Sequence, residues 1–109
     1  MYTMIIINAF SANMLHSLNA MVSFTALSLD EAQETMRLDM PTSAVGHANT
    51  AAVFSAVLGE PVAANRVSVT LRRGDKALLG QYRGPRLEEG ATELPEGATI
   101  EWALVEVLQ

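Results

Sequence analysis

The chain has 109 residues, the length of one domain, and we expect residues 1–109 to fold as a single unit. It contains no cysteine, which excludes a disulfide framework and a thiolate metal site. Its formal net charge of −5 at pH 7 argues against binding to long nucleic acids.

The first third of the chain predicts two strands followed by a helix. Met4–Asn8 is rich in β-branched residues and bounded by polar ones, which is typical of a buried strand. Ala20–Leu27 alternates well enough for a second strand. Ser28 and Glu31 form the pattern of a capping box, which predicts a helix over Leu29–Leu38 that ends before the next proline.

No segment has the length and polarity of a membrane span or a signal peptide. The longest apolar run near the N-terminus, Met4–Ile7, is far too short to cross a bilayer, and no basic segment precedes it. We therefore expect a cytoplasmic protein with no membrane partner.

The middle of the chain predicts a second helix. Ser43–Val45 is either a short strand or an extended connector. The helix begins at His47 or Asn49, and Gly59 ends it. Its apolar stripe is predicted to consist of residues 52, 53, 56 and 57.

The last part of the chain predicts three strands and one long loop. Asn65–Leu71 alternates strictly and is the clearest strand prediction, and the RRGD sequence turns it into a hairpin with Lys76–Arg83. Residues 84–97 form a glycine- and proline-rich loop long enough to suggest a lid. Ala98–Leu108 is the final strand. This order predicts an α/β or α+β domain, with a mixed sheet of about five strands flanked by two or three helices.

The positive charges are concentrated in one part of the sequence. All but one of the 7 Lys and Arg residues lie between Arg66 and Arg86. This basic zone on an acidic protein suits a small anionic ligand, and the alternative is a solvated hairpin that carries ordinary surface charge.

His47 stands where a small-residue segment becomes helical. The first backbone N–H groups of a helix have no partner within the helix and favour phosphate, and Gly46 would let a ligand approach the backbone closely. A bound phosphate favours protonated imidazole, which could then act as a general acid. The alternative is a histidine that caps the helix or packs half-buried, and His16 is interpreted as a surface residue. The two histidines lack the spacing of metal ligands, and the sequence has no Walker loop or Rossmann fingerprint, so we expect no metal and no nucleotide cofactor.

Five segments together resemble one known family, the type III anti-CRISPR ring nucleases and their bacterial relatives called CRISPR ring nuclease 2. They are INAFSANML at 7–15, LSLDEA at 27–32, SAVGHANTA at 43–51, LGEPVAANRVSV at 58–69 and GPRLEEG at 84–90. The resemblance implies a homodimer that binds cyclic tetra-adenylate across its interface. It also implies metal-independent cleavage of that messenger into linear di-adenylates, which switches off type III CRISPR signalling.

The resemblance also implies roles for individual residues. His47 would protonate the leaving 5′-oxygen, Arg86 would offset charge in the transition state, and Glu89 would orient the reacting groups. Glu88 stands where relatives often carry proline, so either glutamate could face the site, and the retained Glu-Gly pair favours Glu89. By the residues alone, Arg86 and Glu89 could equally form an exposed ion pair of little energetic value. The predicted ligand-binding residues are Asn8, Ser11, Asn13, Gly46 and Arg66.

Two other functions fit the same residues. A binding-only protein could sequester a cyclic nucleotide without an acid at His47. A small structural or adaptor dimer would bind no nucleotide at all, and its alternating strands would only build an interface.

Overall fold

A computed structural model describes residues 4–109 and shows a five-stranded mixed sheet with two α-helices. The strands are β1 (Met4–Ile7), β2 (Val22–Leu27), β3 (Thr42–Ser43), β4 (Lys76–Arg83) and β5 (Thr99–Val107). The helices are α1 (Leu29–Asp39) and α2 (Ala48–Leu58), and Ala12–Met14 forms a 3-10 turn. The predicted fold class is thus confirmed. Neither helix of the described residues is long and apolar enough to cross a membrane.

Three parallel strands bring their carboxyl ends to one edge of the sheet. The strand order is β2-β5-β4-β1-β3, with β1 parallel to both β3 and β4, and β5 antiparallel to β4 and β2. Asn8 follows β1, the segment 44–47 follows β3, and the segment 84–86 follows β4. In open sheets of this kind ligands bind beyond the carboxyl ends of parallel strands. A ligand site is therefore expected at this edge.

The two helices cover one face of the sheet. Helix α2 buries Ala51, Phe54 and Leu58, which follow the spacing of one helical face. The ring of Phe54 lies 5.0 Å from that of Trp102 in β5, and a Cβ atom at Gly80 would come within 2.5–2.7 Å of both rings. The predicted stripe was right for residue 53, which is buried, and for residue 57, which packs against this core, and wrong for residues 52 and 56. This helix is apolar nearly all round, so the sequence has no polar face that would fix its orientation.

Loops cover the opposite face, and here the strand predicted at Asn65–Leu71 is wrong. Strand β4 has β1 and β5 as neighbours, so neither of its edges is open to a hairpin partner. Residues 65–71 instead run over the second apolar cluster, where Leu71 is buried and its N–H donates to the Met14 carbonyl at 2.6 Å. The RRGD turn does form, since the Asp75 N–H donates to the Arg72 carbonyl at 2.9 Å.

Candidate functional site

His47 occupies the N-cap of α2 and leaves its side chain free of the cap. Its backbone is extended (φ −117°, ψ 128°), its carbonyl accepts the Ala51 N–H at 3.0 Å, and its exposed imidazole makes no capping hydrogen bond. The first turn of α2 also holds no acidic residue. No side chain of the first turn therefore offsets the partial positive charge of the N–H groups at this helix end.

Hydrogen bonds fix the segment that leads into His47. The Ser43 hydroxyl donates to the Ala63 carbonyl at 2.6 Å, and the Asn65 side chain donates to the Ser43 carbonyl at 2.7 Å. The Asn65 N–H donates to the Val45 carbonyl at 2.7 Å. These bonds hold residues 63–65 beside residues 43–45, and so bring the following Arg66 beside Gly46.

Gly46 and Arg66, both predicted to bind ligand, lie against each other. A Cβ atom built on Gly46 would lie 3.5 Å from Cγ of Arg66, which is an ordinary van der Waals distance. Packing alone therefore does not require glycine here. Arg66 is exposed, and it is placed next to the residue that precedes His47.

A groove of about 530 Å³ brings His47 and Arg86 together at the mouth of α2. It is lined by His47, Asn49, Thr50, Tyr82, Gly84, Arg86 and Leu87. The groove is built from the first turn of α2, the end of β4 and the start of the loop 84–97. Two residues predicted to be catalytic, far apart in the sequence, thus face one space that could hold an anion.

Both loop glutamates lie around a neighbouring cavity. This cavity, of about 340 Å³, is lined by Arg86 together with Glu88 and Glu89, so Arg86 borders both spaces. The geometry leaves open which of the two glutamates acts. Within residues 4–109 the ion pairs are Lys76–Glu106 and Arg83–Glu101, so the alternative pair between Arg86 and Glu89 is not formed.

The other predicted ligand residues lie outside the His47 groove. Asn8 borders a separate cavity of about 300 Å³, together with Phe10, Phe24 and Gln81. Ser11 precedes the 3-10 turn without a side-chain capping bond, and Asn13 lies within the turn, both exposed. None of these three residues therefore lines the groove shared by His47 and Arg86.

The structure adds groove residues that sequence reasoning missed. Asn49 and Thr50 belong to the first turn of α2, and the polar Asn-Thr pair directly after the histidine was the available signal. Tyr82 lies two residues before the GPR sequence, on the helix-covered face of β4. His16 is exposed as predicted, and its Nδ1 lies 2.9 Å from Nη1 of Arg72, beside the amino end of β4. In the described part of the chain, no group of three or more His, Asp or Glu side chains could hold a metal ion.

Comparison with known proteins gives the family. No curated protein matches the sequence. Among solved structures, B116 of Sulfolobus turreted icosahedral virus (STIV) is similar, with a TM-score of 0.82 and 26% identity over 95% of this chain and 98% of that one. The model of the family described as STIV B116-like matches residues 4–102. These matches give family and fold, and the ring-nuclease activity implied by the sequence resemblance stays a prediction. The chain belongs to the STIV B116-like family.

Proposed function

We propose that this protein is a metal-independent ring nuclease. It cleaves cyclic tetra-adenylate into linear di-adenylates and so switches off type III CRISPR signalling in the cytoplasm. The observation that carries this proposal is the groove shared by His47 and Arg86. An imidazole and a guanidinium facing one space beside a helix N-terminus supply an acid and fixed positive charge for a phosphodiester.

The reaction proceeds by attack within the substrate. A ribose 2′-hydroxyl attacks the adjacent phosphorus, its proton leaves to solvent, and the bond from phosphorus to the 5′-oxygen breaks. His47 gives a proton to that departing oxygen, which leaves a 5′-hydroxyl on one side and a cyclic phosphate on the other. Arg86 offsets the charge that builds on the phosphoryl oxygens, and Glu89 orients the 2′-hydroxyl.

A homodimer suits a ring with four equivalent linkages, because a two-fold axis presents two identical sites to opposite linkages. The apolar surface at the edge strand β2 is a reason to expect a partner chain. Phe24 in β2 and Met21 just before it are each 56% exposed, which is a large apolar area for the open edge of a sheet. Light scattering in solution should give the mass of two chains, and a stable monomer would contradict the shared site.

The proposal is tested by incubating the purified protein with cyclic tetra-adenylate in excess EDTA and resolving the products by chromatography. The wild type should yield di-adenylates. His47→Ala should lose at least about 100-fold in cleavage rate, the usual contribution of a general acid, while it still binds the ring. His16→Ala is the matched control, since it removes the other histidine away from the groove, and its rate should equal that of the wild type.

Three other results would contradict the proposal. Intact ring recovered from the wild type after long incubation, despite binding, would indicate a binding-only protein. Absence of any heat on titration with cyclic oligoadenylates would favour a structural or adaptor dimer. An unchanged rate in His47→Ala would remove this residue from the mechanism. Cyclic tri- and hexa-adenylate assayed in parallel would define the preferred ring size.

A further inference from the structure

We propose that Tyr82 and Asn49 are positioning residues that hold residues 84–90 against the mouth of α2. Each makes a hydrogen bond next to a residue predicted to be catalytic: Tyr82 one position before Arg86, and Asn49 one position after Glu89. The inference rests on the proposed function and deepens it, because it explains how an exposed loop presents these two side chains in a fixed place.

The first anchor is at the start of the loop. The Tyr82 hydroxyl donates to the Pro85 carbonyl at 2.5 Å. Gly84 lies between them in a tight passage, where a Cβ atom would come 2.6 Å from Cβ of Ala98 and 3.0 Å from the Tyr82 oxygen. Its backbone φ of +155° is also one that residues other than glycine rarely adopt. The backbone that leads into Arg86 is therefore fixed by both contact and hydrogen bonding.

The second anchor joins the loop to the helix that carries His47. The Asn49 side-chain oxygen accepts the Gly90 N–H at 3.1 Å. Asn49 lies in the first turn of α2, two residues after His47. The same helical turn therefore positions both the loop and the His47 imidazole. Gly90 itself has φ +83°, a left-handed conformation suited to glycine. Movement of the loop relative to His47 must break this bond.

Burial does little to hold the segment between the anchors. Pro85, Arg86 and residues 88–90 are exposed, and only Leu87 is half-buried. A segment with few buried apolar contacts opens at low free-energy cost, so individual hydrogen bonds account for much of its order. The two anchors therefore decide how long Arg86 remains at the groove and Glu89 at the cavity beside it.

The order of the loop can be measured without any ligand. Trypsin can cut after Arg86 only when the loop opens, and amide exchange at Gly90 reports the Asn49 bond directly. Tyr82→Phe removes only the hydroxyl, and Asn49→Ala removes the carboxamide that carries the acceptor oxygen. Each should raise the tryptic rate about fivefold, and Asn49→Ala should raise the exchange rate of the Gly90 amide by a similar factor. Thr92→Ala, an exposed change in the same loop, is the control and should leave both rates unchanged.

Cleavage assays separate positioning from general stability. Tyr82→Phe and Asn49→Ala should lower kcat about tenfold and change KM less than twofold. The reason is that misplacing Arg86 and Glu89 weakens stabilisation of the transition state more than binding of the substrate. Asn49→Asp keeps an oxygen acceptor, so it should restore protection at Gly90 and most of kcat. Its added negative charge beside the groove should raise KM.

The outcomes are distinguishable. Unchanged tryptic and exchange rates in Tyr82→Phe and Asn49→Ala would overturn the inference. So would a looser loop with unchanged kcat, which would leave the proposed function standing. A wild type that does not cleave the ring would overturn the proposed function and the catalytic part of this inference together. The tryptic and exchange rates would then still decide whether the loop is anchored.

Discussion

Helix α1 begins at Ser28 and satisfies its own N-terminus, whereas α2 begins at His47 and does not. The Ser28 hydroxyl accepts the Glu31 N–H at 3.1 Å, and the Glu31 carboxylate accepts the Ser28 N–H at 2.9 Å. Asp30 adds a second negative charge to that turn. At α2 the N-cap side chain makes no such bond, and the first turn holds no acid.

Helix α2 illustrates how the N-terminus of a helix can stay open for a ligand. A capping box stabilises a helix and uses donors that an anion would otherwise bind. Helix α2 forgoes that stabilisation, and the residues around its mouth are positively charged or neutral: Arg86, Tyr82 and Thr50. We interpret the first start as structural and the second as a site for an anionic ligand.

The most direct test of this difference is to introduce the capping box of α1 at the start of α2. His47→Ser with Thr50→Glu gives the same Ser-x-x-Glu spacing at the N-cap and third helical position. Compared with His47→Ala, the double variant should gain about 1 kcal/mol in free energy of unfolding, because the helix end is now satisfied. It should bind intact cyclic tetra-adenylate at least about tenfold more weakly, because the new hydroxyl and carboxylate each accept a backbone N–H and the carboxylate adds negative charge at the helix end.

Urea denaturation and calorimetric titration measure the two effects. Neither variant carries the acid, so cleavage of the ring is slow enough in both for its binding to be measured. Equal affinities for the ring in the two variants would show that the open helix end is not used for binding.

A second pair of variants separates Arg86 from the rest of the basic zone. Arg86→Ala should lower the cleavage rate about 100-fold, as loss of one transition-state donor does, and Arg86→Lys should recover only part of it. Arg83→Ala is the matched control, since Arg83 pairs with Glu101 in the sheet and the exposed pair is worth only about 0.2–1 kcal/mol. Equal losses in the two alanine variants would mean that the zone acts as diffuse charge.

Local signals in the sequence were sufficient for α1 and insufficient for Asn65–Leu71. The capping box and the proline at position 41 set both ends of α1, and the observed helix extends one residue beyond the prediction, to Asp39. Alternation in residues 65–71 indicates an extended segment with two faces, but it contains nothing about a partner. Strand β4 pairs with β1 and β5, which come from opposite ends of the chain. A pattern within seven residues contains no information about such distant pairing.

The candidate site divides in the same way. His47 and Arg86 were both singled out by recognisable motifs, and the structure shows that they line one groove. Tyr82 and Asn49 could not, because their roles depend on hydrogen bonds to the loop 84–97, and a loop without periodicity gives no signal of where it folds back. The choice between Glu88 and Glu89 stays open for the same reason, since both border one cavity.

The smallest effect concerns pH and the self-satisfied start of α1. The Ser28 backbone N–H, and secondly its hydroxyl, hold the pKa of Glu31 below its ordinary value of 4.5. A carboxyl with a lowered pKa in the folded state stabilises the fold above its unfolded pKa, and this contribution is lost as the pH falls through the folded pKa. Glu31→Gln keeps the shape of the side chain without its charge.

The difference in free energy of unfolding between wild type and Glu31→Gln should therefore be largest near neutral pH. It should shrink as the pH falls below the ordinary pKa of 4.5 and disappear once the carboxyl of the folded protein is protonated. Urea denaturation at a series of pH values measures it, and a difference independent of pH would show that the charge contributes nothing. Ring cleavage near neutral pH should be the same in both proteins, because Glu31 caps α1 and does not line the groove at α2. A carboxylate at the start of α2, by contrast, would compete with the ligand.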